Sequence, residues 1–322
     1  MIRFEKVTKE YKDGIKAVHS LDVEIKKGEF FVFIGPSGCG KTTTMKMINR
    51  LIDSTEGSIY IQGKNIHEYD IHELRWNIGY VLQQIALFPH MTIEENISIV
   101  PELRKWNKEK VSRRVDELLE MVGMDPKTFK KRKPNELSGG QQQRIGVIRA
   151  LAADPDIILM DEPFSALDPI SREKLQMDIA DLQKRIQKTI VFVTHDMQEA
   201  LALGDRIGIM RDGILVQADT PENLLKNPAD DFVKEFIGNR SIHTLSAFNN
   251  EDILVKDLES KLNPIDPASG YSSVVSAETS LDEVIRQLAE SDAIAVEKDG
   301  IAIGVLTSQT IVKHLAEMRA AR

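Results

Sequence analysis

Three short strings in this chain carry side chains suited to phosphate and metal chemistry. Gly35-Pro36-Ser37-Gly38-Cys39-Gly40-Lys41-Thr42, followed by Thr43, satisfies the pattern of a phosphate loop. Its context is the required one, an apolar run from Glu29 to Ile34 before it and a helical stretch from Thr43 to Asn49 after it. In that setting glycines let successive amides curl toward a β-phosphate, and a helix N-terminus adds a favourable dipole. Lys41 reaches the β- and γ-oxygens, and the Thr42 hydroxyl ligates a magnesium ion. The second string, Ile157-Ile158-Leu159-Met160-Asp161-Glu162, reads as a buried strand ending in two acids. Asp161 suits magnesium, held through water, and Glu162 suits a general base that polarises an attacking water. The third, Leu137-Ser138-Gly139-Gly140-Gln141, stands before a helix, where a serine and paired glycines make a second anion site.

The elements that must position these groups follow from apolar periodicity. Buried strands are predicted at Ile78 to Leu82, Ile157 to Asp161, Ile190 to Thr194 and Ile207 to Met210, with helical segments between them. One helix carries Val111, Val115, Leu118, Leu119 and Val122 on a single face, and another carries Leu175, Ile179, Leu182 and Ile186. Such alternation predicts an α/β domain with a mostly parallel sheet, joined by shorter strands near the N-terminus such as Ser58 to Ile61. At 322 residues, 42% apolar and 29% charged, the chain suits one large core and a smaller second unit. No apolar stretch is long enough for a membrane span. The alternating start, Met1 to Lys6, lacks the apolar core of a secretory signal, and the single Cys39 suits a reducing compartment, so a cytosolic location is expected. A net charge of -8 argues against general nucleic-acid binding, and Lys130 to Lys133 reads as a solvated loop.

With Leu-Ser-Gly-Gly-Gln lying between the other two strings, residues 1 to 240 resemble the nucleotide-binding subunit of an ABC transporter. The resemblance implies a P-loop ABC-type ATPase domain with N-terminal antiparallel strands and a helical subdomain, using ATP and Mg2+. By resemblance Tyr11 stacks on adenine, although an isolated tyrosine at a strand end is by itself a packing residue. Gln83, favoured over Gln84 by its spacing from Ile78, touches the metal and senses a membrane partner. Ser165-Ala166-Leu167-Asp168 forms the loop that crosses a dimer interface, and His195 contacts the γ-phosphate. Two copies face head to tail, so that ATP on Lys41 of one is closed over by Ser138, Gly139, Gly140 and Gln141 of the other. The apolar run Ile85 to Met91 reads equally as a docking surface and as packing within the helical subdomain.

The string from Gly28 through Leu51 is similar to ATPases that power uptake of glycine betaine, carnitine or choline. That implies a peripheral place on the cytoplasmic side of the membrane, transmembrane permease subunits as partners and, indirectly, a substrate-binding protein. Residues 241 to 252 read as a polar linker, and 253 to 322 resemble a single CBS motif. Its reading comprises a helix with Leu281, Val284, Ile285 and Leu288 on one side, a strand Ala293 to Val296, a turn Lys298-Asp299-Gly300, a strand Ile301 to Leu306 and a helix from Ser308. Family inputs at such a unit are cyclic di-AMP or ionic strength. Here Thr310 stands where nucleotide-binding motifs place an aspartate for ribose, so a ligand sensor and a purely structural dimer contact both remain open. Two other readings are an importer for a different solute, such as an amino acid or a bile-related compound, and an ABC ATPase without a membrane partner. The chromosome-maintenance kind requires a long coiled coil between Lys41 and Ser138, and the translation-factor kind requires two ATPase units in one chain.

Overall fold

Apolar runs that are covered on both faces form the centre of the larger unit. The computed structural model describes residues 1–165, 167–237, 255–256, 258, 262–263, 273–288, 291, 293–298, 301–307 and 310–311. Two compact units emerge: Met1–His195 with Ala202–Ala218, and Asp196–Leu201 with Asp219–Arg322. Composition turns polar near residue 240, whereas the division by packing falls at Ala218. The expected linker, 241–252, and Ala166 lie outside the described residues.

In chain order, β1 (Ile2–Glu10) and β2 (Lys16–Ile25) precede β3 (Phe30–Ile34) and α1 (Lys41–Ile48). After them come β4 (Glu56–Ile61), β5 (Lys64–Asn65), α2 (Ile71–Trp76) and β6 (Ile78–Val81). A helical segment follows, with α3 (Ile93–Leu103), α4 (Lys108–Met121), α5 (Pro126–Phe129) and α6 (Gly139–Leu151). Then come β7 (Ile157–Asp161), α7 (Pro169–Ile186), β8 (Thr189–Thr194), α8 (Met197–Leu203), β9 (Arg206–Arg211) and β10 (Ile214–Asp219).

Two sheets share the first unit's core. Antiparallel strands make one, in the order β2-β1-β4-β5. The other has the order β10-β9-β3-β8-β7-β6, and β9, β3, β8, β7 and β6 run parallel. Every residue of β3, β7 and β8 is buried, as a parallel sheet covered on both faces requires. These continuous apolar runs are legible in the sequence to within a residue. β2 and β10 are not: bulges break the alternation of the β1–β2 pair, and β10 is half-buried along most of its length. The predicted helix faces hold, with Val111, Val115, Leu118, Leu119 and Val122 buried on and just beyond α4, and Leu175, Ile179 and Leu182 buried on α7. Ile186 is half-buried.

In the second unit, α9 (Pro221–Lys226) and a helical segment over 231–237, α10, are followed by β11 (Val274–Ser276), α11 (Leu281–Leu288), β12 (Ala293–Lys298) and β13 (Ile301–Thr307). β11 and β12 pair in parallel across the α11 crossover, and β12 and β13 form an antiparallel hairpin. Leu281, Val284 and Leu288 close over Ile294, Val296 and Leu306 in a core of their own. The three-residue β11 carries too short an apolar pattern to be read from sequence. The side chain of Ile285, the turn residues Asp299 and Gly300, and most of the helix expected from Ser308 lie outside the described residues, although Thr310 and Ile311 are helical. Among the described residues no helix is long and apolar enough to cross a membrane.

Candidate nucleotide site

β3 ends at Ile34 in the middle of the parallel sheet, and the chain turns there through residues 35–40 into α1. Two glycines are sterically obligatory. A Cβ on Gly35 would lie 2.1 Å from the Met210 carbonyl oxygen, and one on Gly40 would lie 2.2 Å from that of Ala17. Gly40 is also the N-cap of α1, at φ 100°, and no side chain caps the helix. The helix therefore starts at Lys41, two residues before the predicted Thr43, and its first amides face the loop. The Gly213 amide donates to the Cys39 carbonyl at 3.2 Å, so the β9–β10 turn braces the loop from outside. Pro36 is half-buried, Ser37 and Gly38 are exposed, and Thr43 is half-buried on the first turn of α1.

Lys41 is buried, with 5% of its surface exposed. Its ammonium donates to the Gly35 and Pro36 carbonyls at 2.8 and 2.9 Å and lies 3.7 Å from the Cys39 sulfur. A buried charge whose partners are all neutral is suited to an anion inside the loop. Burial pushes the Cys39 thiol above its ordinary pKa, which keeps it neutral beside the lysine.

Asp161 ends β7 with 4% exposure. Its Oδ1 accepts the Thr42 hydroxyl at 2.8 Å, and its Oδ2 accepts the Tyr80 hydroxyl at 3.4 Å. Burial raises its pKa, and the Thr42 hydrogen bond and the Lys46 charge oppose that rise. In a regular strand Glu162 would point to the opposite face from Asp161. Instead the chain leaves the strand at Glu162, which adopts φ 43°, and its amide donates to the Val193 carbonyl at 2.9 Å. A left-handed non-glycine residue is locally strained, and here it turns the second carboxylate toward residues from two other strand ends. Glu162 Oε2 accepts from Gln83 Nε2 at 3.3 Å and lies 3.1 Å from His195 Nδ1. Thus Gln83, Glu162 and His195, which sequence reasoning took from separate strands, meet at one carboxylate oxygen. Ser165 Oγ donates to the Glu162 carbonyl at 3.0 Å, and Asp168 caps α7 by accepting from the Ser171 amide at 3.0 Å.

The third string is built differently. Ser138 caps α6, its Oγ accepting from the Gln141 amide at 3.3 Å, while its own amide donates to Gln141 Oε1 at 2.9 Å. Gly139 and Gly140 are the first two helical residues, and a Cβ at Gly139 would meet nothing within 4 Å. Near its other end α6 packs on the sheet edge, where Ala150 approaches Gly79 of β6. Ser138 thus stands at the far end of a rod of roughly 18 Å.

Tyr11 lies in the turn after β1 with 41% exposure, its ring 5.3 Å from the Lys9 ammonium; it is not a core residue. After Gln83, Leu87 is buried while Phe88 and Met91 are exposed, so the apolar run divides between packing and surface. The fully buried Asn96 amide holds that loop through the Phe88, Met91 and Thr92 carbonyls at 3.2, 3.3 and 2.9 Å. Arg149 of α6 donates to the Ala86 carbonyl at 2.6 Å. In the second unit the Thr310 hydroxyl accepts from Asn263 Nδ2 at 2.9 Å and lies 3.0 Å from the Thr307 hydroxyl.

Sequence reasoning missed Tyr80, Ser165 as a support for Glu162, and Gly213. Only strand order and turn packing bring them to the site. The residues fit a nucleotide and a hard cation. Thr42 spends its one proton on Asp161 and retains lone pairs, and no cluster of three His, Cys, Asp or Glu exists among the described residues, so an ion here would take most of its oxygens from phosphate and water.

Residues 18–165 match the family described as ABC transporter. The chain is 62% identical over 238 residues, 74% of its own length, to the glycine betaine/carnitine/choline transport ATP-binding protein OpuCA of Bacillus subtilis (strain 168), and that match spans 62% of the relative. It is 49% identical over 274 residues to the osmoprotectant import ATP-binding protein OsmV of Salmonella typhimurium, covering 84% of this chain and 72% of the relative. Among solved structures, the dimeric post-hydrolysis state of the ATP-binding cassette MJ0796 bound to ADP and Pi is similar, with a TM-score of 0.61 and 38% identity over 68% of this chain and 98% of that one. The chain thus matches about three fifths of the length of the first of these relatives, and the loop, the paired acids and the glycine-rich helix start lie within the aligned cassette. This protein belongs to the ATP-binding subunits of the ABC transporter family.

Proposed function

We propose that this chain hydrolyses ATP with magnesium, as one of two head-to-tail ATPase subunits on the cytoplasmic side of an importer for quaternary ammonium osmoprotectants. The observation that carries the reading is Glu162, turned out of β7 and held by Gln83 and His195 beside the Thr42–Asp161 pair. In this arrangement the loop amides and Lys41 bind the phosphates, and Thr42 and Asp161 hold the metal, Asp161 through water. Glu162 takes a proton from the attacking water, Gln83 touches the metal and senses the membrane partner, and His195 contacts the γ-phosphate. Tyr11, exposed at its turn, stacks on adenine. Ser138 to Gln141 close over the nucleotide of the second copy, and the loop containing Asp168 crosses the interface. The exposed Phe88 and Met91 supply the docking surface for the permease.

The names of the relatives support the cargo class: glycine betaine, carnitine and choline for one, osmoprotectant import for another. A substrate-binding protein and permease would select the solute. The β-α-β-β order of the second unit supports the CBS reading, with Thr310 already tied to Asn263 and Thr307. Such a unit would sense a nucleotide such as cyclic di-AMP, or pair two copies.

The test is Glu162→Gln. ATP binding is expected to persist while turnover falls by about 10²- to 10⁴-fold and an ATP-dependent dimer accumulates on gel filtration. Turnover at the parental rate removes Glu162 from its role. Uptake of a panel of quaternary amines with the cognate permease and binding protein, lost in that variant, tests the cargo. Uptake of none of them, with ATPase activity intact, would replace the cargo assignment alone.

A further inference from the structure

We infer that Tyr80 is a positioning residue, whose hydroxyl holds the second carboxylate oxygen of Asp161 and so fixes the edge this group turns toward the cation. The inference rests on the ATPase reading, in which Asp161 and Thr42 serve the metal. β6 and β7 run parallel with Tyr80 opposite Leu159. Asp161 is therefore two residues further along, about 6.6 Å of strand rise, a reach that suits a phenol and exceeds that of serine or threonine. The Tyr80 hydroxyl arrives at 3.4 Å from Oδ2, and Thr42 arrives from α1 at 2.8 Å from Oδ1.

A carboxylate's terminal torsion is soft, with broad wells. Thr42 alone would leave Asp161 free to rotate about that torsion, whereas donors from two elements on its two oxygens define its plane. Asp161 is buried, so water does not replace either donor freely. The Tyr80 ring itself is half-buried against the aliphatic core, a role phenylalanine would fill equally. Only the hydroxyl distinguishes positioning from packing.

The experiment uses the full chain and Tyr80→Phe. Free Mn2+ is followed by electron paramagnetic resonance during titration with a non-hydrolysable ATP analogue present, and binding of the same analogue is measured separately without metal. Half-saturating Mn2+ is expected to rise about ten-fold, near the low end for a hydrogen bond to a charged group. Metal-free nucleotide affinity and the thermal unfolding midpoint should stay close to those of the parent, and ATPase lost at low Mg2+ should return at high Mg2+. Unchanged half-saturating Mn2+ overturns the proposal. An equal loss of metal-free binding and metal binding also overturns it, because that pattern belongs to a packing defect. If the parent itself binds neither the analogue nor Mn2+, the ATPase reading fails rather than the role of Tyr80.

Discussion

The loop before α1 and the turn before α6 are both glycine-rich helix starts, yet they treat their helices in opposite ways. Gly40 caps α1 with backbone alone, at a positive φ and pressed against Ala17, and no side chain satisfies the first amides. Ser138 and Gln141 satisfy each other at the start of α6, and Gly139 has open space around it. The first therefore leaves its helix-start amides uncapped by any side chain, beside a buried lysine. The second is complete as a helix end, and its glycines leave a smooth surface against which another molecule can close. On the proposed reading, similar composition yields a grip in one place and a lid in the other, because steric enclosure differs.

Substitutions can break or sharpen this contrast. Gly40→Ala places a methyl on the Ala17 carbonyl at a disfavoured φ, and a loss of about 3 kcal/mol or more is expected in denaturant unfolding. If Gly40→Ala is as stable as the parent, the loop is not sterically enclosed. Lys41→Ala should weaken ATP binding by about a hundredfold, since it removes charge-assisted bonds to phosphate; equilibrium binding of a fluorescent analogue reads this directly. Ser138→Ala should cost about 1 kcal/mol of stability, the typical worth of a cap, while ATP binding to the isolated subunit is retained and ATP-driven pairing is reduced. Gly139→Ala has the smallest structural effect, a change within about 0.5 kcal/mol in either direction. Its decline, if the lid reading holds, appears only in pairing-dependent ATPase activity. Equal destabilisation by Gly40→Ala and Gly139→Ala would erase the distinction between the two turns.

The paired acids show why part of the site was readable and part was not. Ile157 to Met160 is a continuous apolar run, so a strand ending at Asp161 follows from composition and hydrophobic burial. That Glu162 shares the site with Asp161 does not follow, since strand alternation sends neighbours to opposite faces. The left-handed turn at Glu162 overrides the alternation. Tyr80 was unreadable for a related reason. Its neighbour Asp161 is 81 residues away, and only the parallel pairing of β6 with β7 brings the two together. Gln83 over Gln84 came from spacing and resemblance; the structure places Gln83, through its Nε2, at Glu162.

By itself the sequence determined the local grammar: which runs are covered on both faces, where glycine permits a backbone that other residues resist, and which side chains could bear phosphate, metal and proton. Those properties belong to single residues and their immediate neighbours, where propensity and burial act. Tertiary structure decided which of these groups meet. Strand order sets Gln83, Glu162 and His195 around one oxygen, helix α1 delivers Thr42 to Asp161, and the β9–β10 turn braces the loop at Cys39. Such meetings depend on register and on the sheet's crossing connections, contacts across many residues that no local pattern encodes.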